Sequence, residues 1–229
     1  MFLKAIFLDA EGTFLKIKPS VGEIYAKIWE NWNYFLDSYY IQEKFKKAYQ
    51  EIFKKNFFQK WDTQKCKLAW KEVFKLTFDF LKFENGNTFL LEKAFEKAYN
   101  FFATKECVEI VSGFGEFLFG VKKRGLKLGI ISNWDNRLYG ILKEYQILNQ
   151  FEGIFLGCEV SYFKPHPQIF KTALESFKVT SHESLMIGDS LEEDIIPAQK
   201  LGFKTYHFRD PNFERVIEFL EKEFEEKWR

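Results

Sequence analysis

The sequence predicts an α/β protein in which a parallel sheet core carries an inserted α-helical domain. Two patterns predict this fold class. Short apolar runs alternate with helical segments after Cys107, and one more such run opens the chain. This alternation is typical of parallel sheets with right-handed helical crossovers. Between Pro19 and Phe102, by contrast, the apolar residues recur only at helical spacing.

The first strand is predicted from the apolar run at residues 3–8, which ends at Asp9 and leads into a turn at Gly12. A helix begins near Ser20, because Glu23 lies three residues later and the two together indicate a capping box. The spacing then predicts four helices, over residues 20–33, 39–58, 63–82 and 88–103, the last two separated at Gly86 and Asn87.

The second half of the chain repeats a helix followed by a strand. The predicted helices cover residues 114–124, 136–146, 167–177 and 193–200, and the predicted strands cover residues 126–131, 154–156, 185–187 and 203–208. Asp210 and Pro211 predict the N-cap and the first helical position of a final helix. Together with the first strand, these strands predict an open, Rossmann-like parallel sheet.

The change in periodicity divides the chain into two predicted domains. Residues 1–15 and 106–229 form the α/β core, and residues 16–105 form the helical domain. Residues 15–105 contain 17 Lys against 11 Asp and Glu, whereas the remainder contains 17 basic and 22 acidic residues. A basic helical domain over an acidic core suits an anionic substrate between them. Two solvated surfaces of different composition are an equally good interpretation.

Composition and charge exclude several classes of protein. With 46% hydrophobic and 29% charged residues the chain is not a disordered tail, and its net charge of +1 gives no case for nucleic acid or an anionic membrane. No apolar run approaches the ~18 residues of a transmembrane helix, and the apolar start lacks a signal-peptide cleavage site. Cys66, Cys107 and Cys158 lie far apart, which argues against a disulfide framework and favours the cytoplasm. The sequence predicts no oligomeric state.

Polar residues of catalytic types follow four of the predicted strands. Ligands of open parallel sheets bind at the carboxyl ends of the strands, so these residues are expected to share one site. Residues 9–13 follow the first strand, Ser132 and Asn133 follow the second, Lys164 comes after the third, and Gly188 and Asp189 follow the fourth, with Asp194 five residues beyond Asp189.

In the order of these motifs the sequence resembles the haloacid dehalogenase (HAD) superfamily of hydrolases. That family carries Asp-x-Asp-x-Thr, then a Ser or Thr after an apolar strand, then a Lys often followed by Pro, and last Gly-Asp-x-x-x-x-Asp or a close variant. The counterparts here are Asp9-Ala-Glu-Gly-Thr13, Ser132, Lys164-Pro165, and Gly188-Asp189 with Asp194. The resemblance covers residues 1–15 and 106–229. It implies that the insert is the helical cap found between the first two motifs in one large subclass.

The acidic residues predict a phosphoryl-transfer site. Asp9 is expected to be the nucleophile that forms an aspartyl-phosphate, since it is ionised at neutral pH without a base. Asp9, Asp189, Asp194 and a phosphate would crowd negative charge, which costs about 4 kcal/mol for each pair ~4 Å apart at an effective dielectric of 20. Lys164 supplies one compensating cation. Mg²⁺ supplies the other, with the three aspartates and the backbone carbonyl of Glu11 as expected ligands, Asp194 either directly or through water.

Ser132, Asn133 and Thr13 are predicted to bind or frame the substrate phosphate. The Ser132 hydroxyl and the Asn133 backbone amide would contact phosphate oxygens, while Thr13 shapes the turn that carries the nucleophile. A helix N-cap is the alternative role of Ser132. Arg137 is a candidate to bind a distal acidic group of the substrate, or else forms a surface ion pair. His166 is a candidate general base, or else an ordinary polar residue of its loop.

Glu11 departs from the family pattern, in which most phosphatases have a second Asp as general acid and base. Glu has the same chemistry with one more methylene, and displacements of ~1 Å can cost about 10²-fold in rate. Three interpretations of Glu11 remain open: a working acid and base, a carboxylate aimed elsewhere, and a sign of weak or lost catalysis.

These features predict a magnesium-dependent phosphatase that acts on a small phosphorylated metabolite. A metal-independent 2-haloacid dehalogenase is one alternative, against which the retention of both Asp189 and Asp194 argues, because they imply a metal. A non-catalytic binding protein on an inactivated HAD fold is the other alternative, and Glu11 alone favours it.

Overall fold

Five parallel strands form the central sheet. The computed structural model describes residues 3–53, 55, 60–81 and 88–224. The strands in that part of the chain are β1 (Ala5–Leu8), β2 (Leu15–Ile17), β3 (Val108–Ile110), β4 (Lys127–Ser132), β5 (Gly153–Leu156), β6 (Ser184–Gly188) and β7 (Lys204–His207). The sheet order is β5-β4-β1-β6-β7, with β1 paired to β4 on one side and to β6 on the other. The predicted α/β fold is therefore confirmed.

In the described part of the chain four α-helices lie between β2 and β3, and we call them the helical insert. They are α1 (Val21–Trp29), α2 (Ser38–Ile52), α3 (Thr63–Thr77) and α4 (Thr88–Phe101). Ser20 caps α1 with the predicted capping box: its hydroxyl accepts from the Glu23 amide, and the Glu23 carboxylate accepts from the Ser20 amide at 2.8 Å. Helix α2 ends earlier than the predicted residue 58. The rest of that prediction, and the predicted break at Gly86 and Asn87, fall on residues 54, 56–59 and 82–87, which lie outside the described residues.

The two connections between the insert and the core run side by side as an antiparallel ribbon of β2 and β3. Leu15 pairs with Ile110 and Ile17 with Val108, and the Lys18 amide then donates to the Cys107 carbonyl at 2.9 Å. Neither strand was predicted, because three residues are too short to show a period. The ribbon adjoins the positions at which the sequence changes its periodicity.

Helices cover both faces of the sheet. They are α5 (Phe114–Lys123), α6 (Arg137–Glu144), α7 (Gly157–Val160), α8 (Pro167–Phe177), α9 (Ile196–Lys200) and α10 (Phe213–Phe224). In β1, Ala5 and Phe7 pack with residues of α8 and α9, whereas Ile6 and Leu8 pack with residues of α5, α6 and α10. Burial on both faces explains the uninterrupted apolar run of this strand. None of the helices within the described ranges combines the length and the apolar character needed to cross a membrane.

The start of the last helix was predicted wrongly. Helix α10 begins at Phe213, and neither Asp210 nor Pro211 belongs to it. Asn212 forms a bridge with Ser112, and its side-chain oxygen accepts from the Glu214 amide at 2.9 Å. Asn212 therefore provides the cap that the sequence assigned to Asp210.

A disulfide joins Cys66 of α3 to Cys158 of α7, with the two Cα atoms 6.1 Å apart. The prediction that argued against disulfides was wrong, because 92 residues of chain separate the two positions and the packing of the insert on the core brings them together. The bridge is buried within a cluster that includes Phe53, Trp61 and Phe163. It also removes the argument from cysteine usage for a reducing compartment.

Candidate active site

A cavity of about 520 Å³ lies where the carboxyl ends of the strands face the helical insert. Thr13 and the candidate general base His166 do not line it, and every other predicted site residue does. The core contributes Asp9, Glu11, Ser132, Asn133, Trp134, Arg137, Lys164, Asp189, Ser190, Glu193 and Asp194. Residues that follow different strands of the sheet therefore meet in one cavity, as expected, although they lie as far apart in the chain as positions 9 and 194.

Lys164 joins two carboxylates of the site. Its Nζ donates hydrogen bonds to Asp9 Oδ1 at 2.5 Å and to Asp194 Oδ1 at 2.6 Å. The three side chains are at most 9% exposed. Burial disfavours the charged form of the lysine, but the carboxylates of Asp194 and Asp9 outweigh it and raise the pKa of Lys164 above its usual range. The lysine is therefore a fixed cation that orients the Asp9 carboxylate.

Asp189 adds a third carboxylate, and oxygens of Asp9, Asp189 and Asp194 lie within 4.8 Å of one another. One ammonium against three carboxylates leaves an excess of negative charge. Burial raises the pKa of Asp9 to about 8, against the lowering effect of Lys164, and burial together with Asp194 raises the pKa of Asp189. The expected ionisation of Asp9 at neutral pH therefore requires a further cation beside it. Mg²⁺ prefers hard oxygen donors of this kind, so the donor set fits that cation.

Two local features let the loops after β1 and β6 approach each other. Gly12 has a φ of +86°, and a Cβ at this position would overlap the Asp189 carboxylate, so a glycine is required. After β6 the chain makes a π-helical turn over Leu191–Ile195. The amide of Ser190 there donates to Asp194 Oδ2 at 3.0 Å. The turn leaves Asp194 Oδ1 directed at the lysine.

Asn133 holds the lysine loop in place, a role that the sequence did not reveal. Its Oδ1 accepts from the Lys164 amide at 2.7 Å, and its Nδ2 donates to the Lys164 carbonyl and to the Glu193 carboxylate, both at 3.0 Å. Ser132 is buried beside it, and its hydroxyl oxygen accepts from the Trp134 amide at 3.2 Å. Helix α6 begins five residues later, so the N-cap alternative for Ser132 is wrong.

Glu11 lines the cavity and is exposed to it. Desolvation by the surrounding protein raises the pKa of Glu11 to about 7, and the charges of Asp189 and Glu193 act in the same direction. A carboxyl group that titrates near neutral pH is able both to donate and to accept a proton.

Aromatic side chains of the insert form the wall opposite the carboxylates. Tyr25 comes from α1, Phe45 and Tyr49 from α2, Trp70 from α3, and Phe102 follows α4. The Tyr25 and Phe45 ring centroids lie 6.0 Å apart, and those of Tyr49 and Trp70 lie 5.8 Å apart. Sequence reasoning did not single these residues out, because their helical spacing is that of ordinary core residues.

Three further predictions turned out differently from one another. Thr13 is fully buried and is not one of the residues lining the cavity, and its amide donates to the Ala10 carbonyl at 3.3 Å in the turn after β1. Its role in substrate binding stays a prediction. His166 Nδ1 accepts from the Gln168 amide at 3.1 Å and caps α8, which fits the ordinary loop role. Arg137 is buried, pairs with Asp135 and lines the cavity, so the surface ion pair is wrong.

A comparison with known protein families decides the classification of this site. The family model for haloacid dehalogenase-like hydrolases matches residues 3–202. The chain belongs to this family. It is thus a HAD-like hydrolase, as the order of its motifs indicated.

The relatives of this HAD-like hydrolase include one with a named reaction. The chain is 29% identical over 205 residues to haloacid dehalogenase-like hydrolase domain-containing protein 3 of Danio rerio. The aligned segment covers 88% of this chain and 83% of that protein. The chain is 36% identical over 108 residues to the glyceraldehyde 3-phosphate phosphatase of Pyrococcus abyssi, which covers 43% of this chain and 42% of that one.

Solved structures of HAD-like proteins share the fold. The HAD-hydrolase YfnB of Bacillus subtilis, bound to magnesium, superposes with a TM-score of 0.74 at 17% identity, covering 96% of this chain and all of that one. The defluorinating L-2-haloacid dehalogenase Rha0230 superposes with a TM-score of 0.72 at 14% identity, covering 90% of this chain and 80% of that one. At these identities the likeness concerns the fold alone.

Proposed function

We propose that this HAD-like hydrolase is a magnesium-dependent phosphatase that cleaves a small phosphorylated metabolite through an aspartyl-phosphate on Asp9. The observation that carries the proposal is the cluster of Asp9, Asp189 and Asp194 around Lys164. A dehalogenase needs the nucleophile but no metal, so it gives no reason for three converging carboxylates. The segment shared with a named phosphatase supports the same choice.

The metal ligands we propose are the carboxylates of Asp9, Asp189 and Asp194 and the backbone carbonyl of Glu11. The excess of negative charge around Lys164 supports a divalent cation at this point. When bound, Mg²⁺ would neutralise the charge of the phosphoryl group during transfer.

The residues of the chain divide the reaction into two steps. The Asp9 carboxylate attacks phosphorus, and the bond to the leaving oxygen breaks as Glu11 donates a proton to that oxygen. Glu11 then accepts a proton from a water molecule, which attacks the phosphorus of the aspartyl-phosphate. The bond between phosphorus and the Asp9 oxygen breaks, which releases inorganic phosphate and restores the carboxylate. Lys164 and the Ser132 hydroxyl hold phosphate oxygens, while the Asn133 side chain keeps Lys164 in position.

The helical domain, residues 16–105, acts in this proposal as a cap over the core formed by residues 1–15 and 106–229. The aromatic wall that the insert presents to the cavity supports this role, because a cap excludes water and limits the substrate to small molecules. The near-neutral net charge gives no role to nucleic acid. We propose that the enzyme acts in the cytoplasm, because a small charged metabolite is its substrate. The Cys66–Cys158 disulfide would then have to persist among reducing thiols.

The test is a panel of phosphate monoesters and 2-haloacids, assayed with Mg²⁺ and with a chelator, on the wild type and on Asp9→Asn. We expect phosphate release that requires Mg²⁺ and falls by at least about 10³-fold in the variant, since it lacks the nucleophile. Asp210→Asn is the matched control, because this aspartate is exposed and does not line the cavity.

Each alternative has its own signature in the same panel. Phosphate release that survives the chelator, or that is unchanged in Asp9→Asn, contradicts the mechanism. Halide release without metal would instead identify a dehalogenase. Failure of the folded wild type to turn over any compound would favour the non-catalytic binding protein.

A further inference from the structure

The guanidinium of Arg137 is buried at the cavity with most of its donors unused. The residue is 8% exposed, and its Nε donates to Asp135 Oδ1 at 2.8 Å. In the part of the chain that the structure describes, neither Nη group makes a hydrogen bond. An arginine side chain carries five N–H donors, four of them on the Nη atoms. Donors that face a cavity without a protein partner are met there by water or by a ligand, so these four indicate a place for a ligand.

The orientation of this guanidinium is fixed by its surroundings. Its Cζ atom lies 4.3 Å from the centroid of the Tyr99 ring and 4.8 Å from that of Trp70. The ion pair with Asp135 holds the Nε edge. With a face covered by rings and one edge bound to a carboxylate, the Nη groups remain available to the cavity that Arg137 lines. The Nη groups of Arg137 are thus held in a fixed orientation before any ligand binds.

The charges around the cavity restrict which ligand fits there. Of the residues that line it within the described ranges, two are cations, and Lys164 is held by two carboxylates. Arg137 is the other cation. The acidic lining residues are Asp9, Glu11, Asp189, Glu193 and Asp194. An anionic group of the substrate away from its phosphate is therefore repelled over most of the core wall and attracted at Arg137.

We propose that Arg137 binds a carboxylate on the leaving group of the substrate, so that the preferred substrates are phosphate monoesters of hydroxy acids. The proposal rests on the proposed phosphatase function and names its substrate class. A planar guanidinium offers two parallel N–H donors that match the two oxygens of a carboxylate. A neutral leaving group would displace water from those donors without replacing its hydrogen bonds, which weakens its binding.

The test compares matched substrates that differ in the acidic group: 2-phosphoglycolate against ethyl phosphate, and 3-phosphoglycerate against glycerol 3-phosphate. We expect the wild type to prefer the acid of each pair by about 10- to 100-fold in kcat/KM, the range of charge-assisted hydrogen bonds. In Arg137→Met this ratio should approach one. Arg137→Lys, which keeps the charge without the fork, should retain part of the preference. Arg215→Met, at an exposed arginine outside the cavity, should keep the wild-type ratio.

The ratio separates recognition of the acid from a merely structural role. If Arg137 only packs the insert against the core, its replacement lowers kcat/KM equally for both substrates of a pair. The ratio of the two kcat/KM values then stays at its wild-type value. A wild-type ratio near one, or a preference for bisphosphates over hydroxy-acid phosphates, also overturns the proposal, even if Arg137→Met fails to fold. If the folded wild type releases phosphate from none of the four esters or the wider panel, the phosphatase function itself has failed.

Discussion

The two walls of the cavity are held together by different forces. On the core side, Lys164 donates to Asp9 at 2.5 Å and to Asp194 at 2.6 Å, and all three side chains are removed from bulk water. On the insert side, the ring centroids of Phe45 and Tyr49 lie 6.1 Å apart and those of Tyr49 and Trp70 lie 5.8 Å apart. Charge and directional bonds fix the first wall, while dispersion and apolar burial hold the second.

On the proposed function, the core wall carries the chemistry and the insert wall selects the substrate. Buried ion pairs tolerate little displacement, because each partner is costly to leave alone in the protein interior. Aromatic packing tolerates changes of shape with smaller penalties. We therefore expect substitutions in the core wall to have large effects and substitutions in the insert wall to have small ones. Loss of the disulfide that joins the two regions should have an effect of intermediate size.

The largest effect on stability is expected from Lys164→Met. The change leaves the buried carboxylates of Asp9 and Asp194 without their shared cation, and breaking a buried ion pair typically costs about 3–5 kcal/mol. The free energy of unfolding, measured with urea at neutral pH, should fall by this amount. Lys71→Met, which breaks the more exposed pair with Glu92, should have a much smaller effect. Equal effects of the two changes would show that the core wall is not the more tightly held one.

The sequence predicted the core wall well because strand ends are fixed by topology. Asp9, Lys164 and Asp194 follow different strands, and any parallel sheet brings the ends of its strands to one edge. The side-chain bonds of Asn133 could not be predicted in this way, because they depend on the path of the loop that carries Lys164. Gly12 gave a partial signal, since a glycine after a strand indicates a turn but does not reveal that Asp189 lies against it.

An intermediate effect is expected from the disulfide between the insert and the core. Cys66→Ser should lower the free energy of unfolding by about 2–4 kcal/mol in a buffer to which neither oxidant nor reductant is added. The reason is that the bridge constrains the unfolded chain over 92 residues. A dithiol reductant should lower the stability of the wild type by a similar amount and leave that of Cys66→Ser unchanged. Thiol titration of the unfolded wild type should rise from one free cysteine to three on reduction.

Cys107→Ser is the matched control for the disulfide. Cys107 is buried and unpaired, so its replacement should leave the response to reductant intact. A wild type whose unfolding does not respond to reductant, or that shows three free thiols from the start, would contradict the bridge.

The link between the regions was hidden from sequence reasoning for a physical reason. Cys66 and Cys158 meet because α3 packs near α7, and no local pattern records a contact between segments 92 residues apart. The ribbon of β2 and β3 was hidden in the same way, since three-residue strands have no measurable period. The sequence shows a high content of aromatic residues, but it does not show which of them form the wall. Phe45 and Trp70 have the same helical spacing as residues that only fill a core.

The smallest effect is expected from Phe45→Leu in the insert wall. Leucine keeps the apolar character of the position and removes the ring that meets Tyr25 edge to face with centroids 6.0 Å apart. Phe45 also lines the cavity, and on the proposed function its ring contacts the bound substrate. An aromatic contact is worth about 0.5–1.5 kcal/mol, so loss of this one should raise KM by roughly 2- to 10-fold, with a smaller change in kcat. Leu68→Ala, at an exposed position of α3, is the control and should change neither constant. If Phe45→Leu instead lowered kcat as strongly as a change in the core wall, the insert would take part in the chemistry, because a contact used only for binding acts on KM.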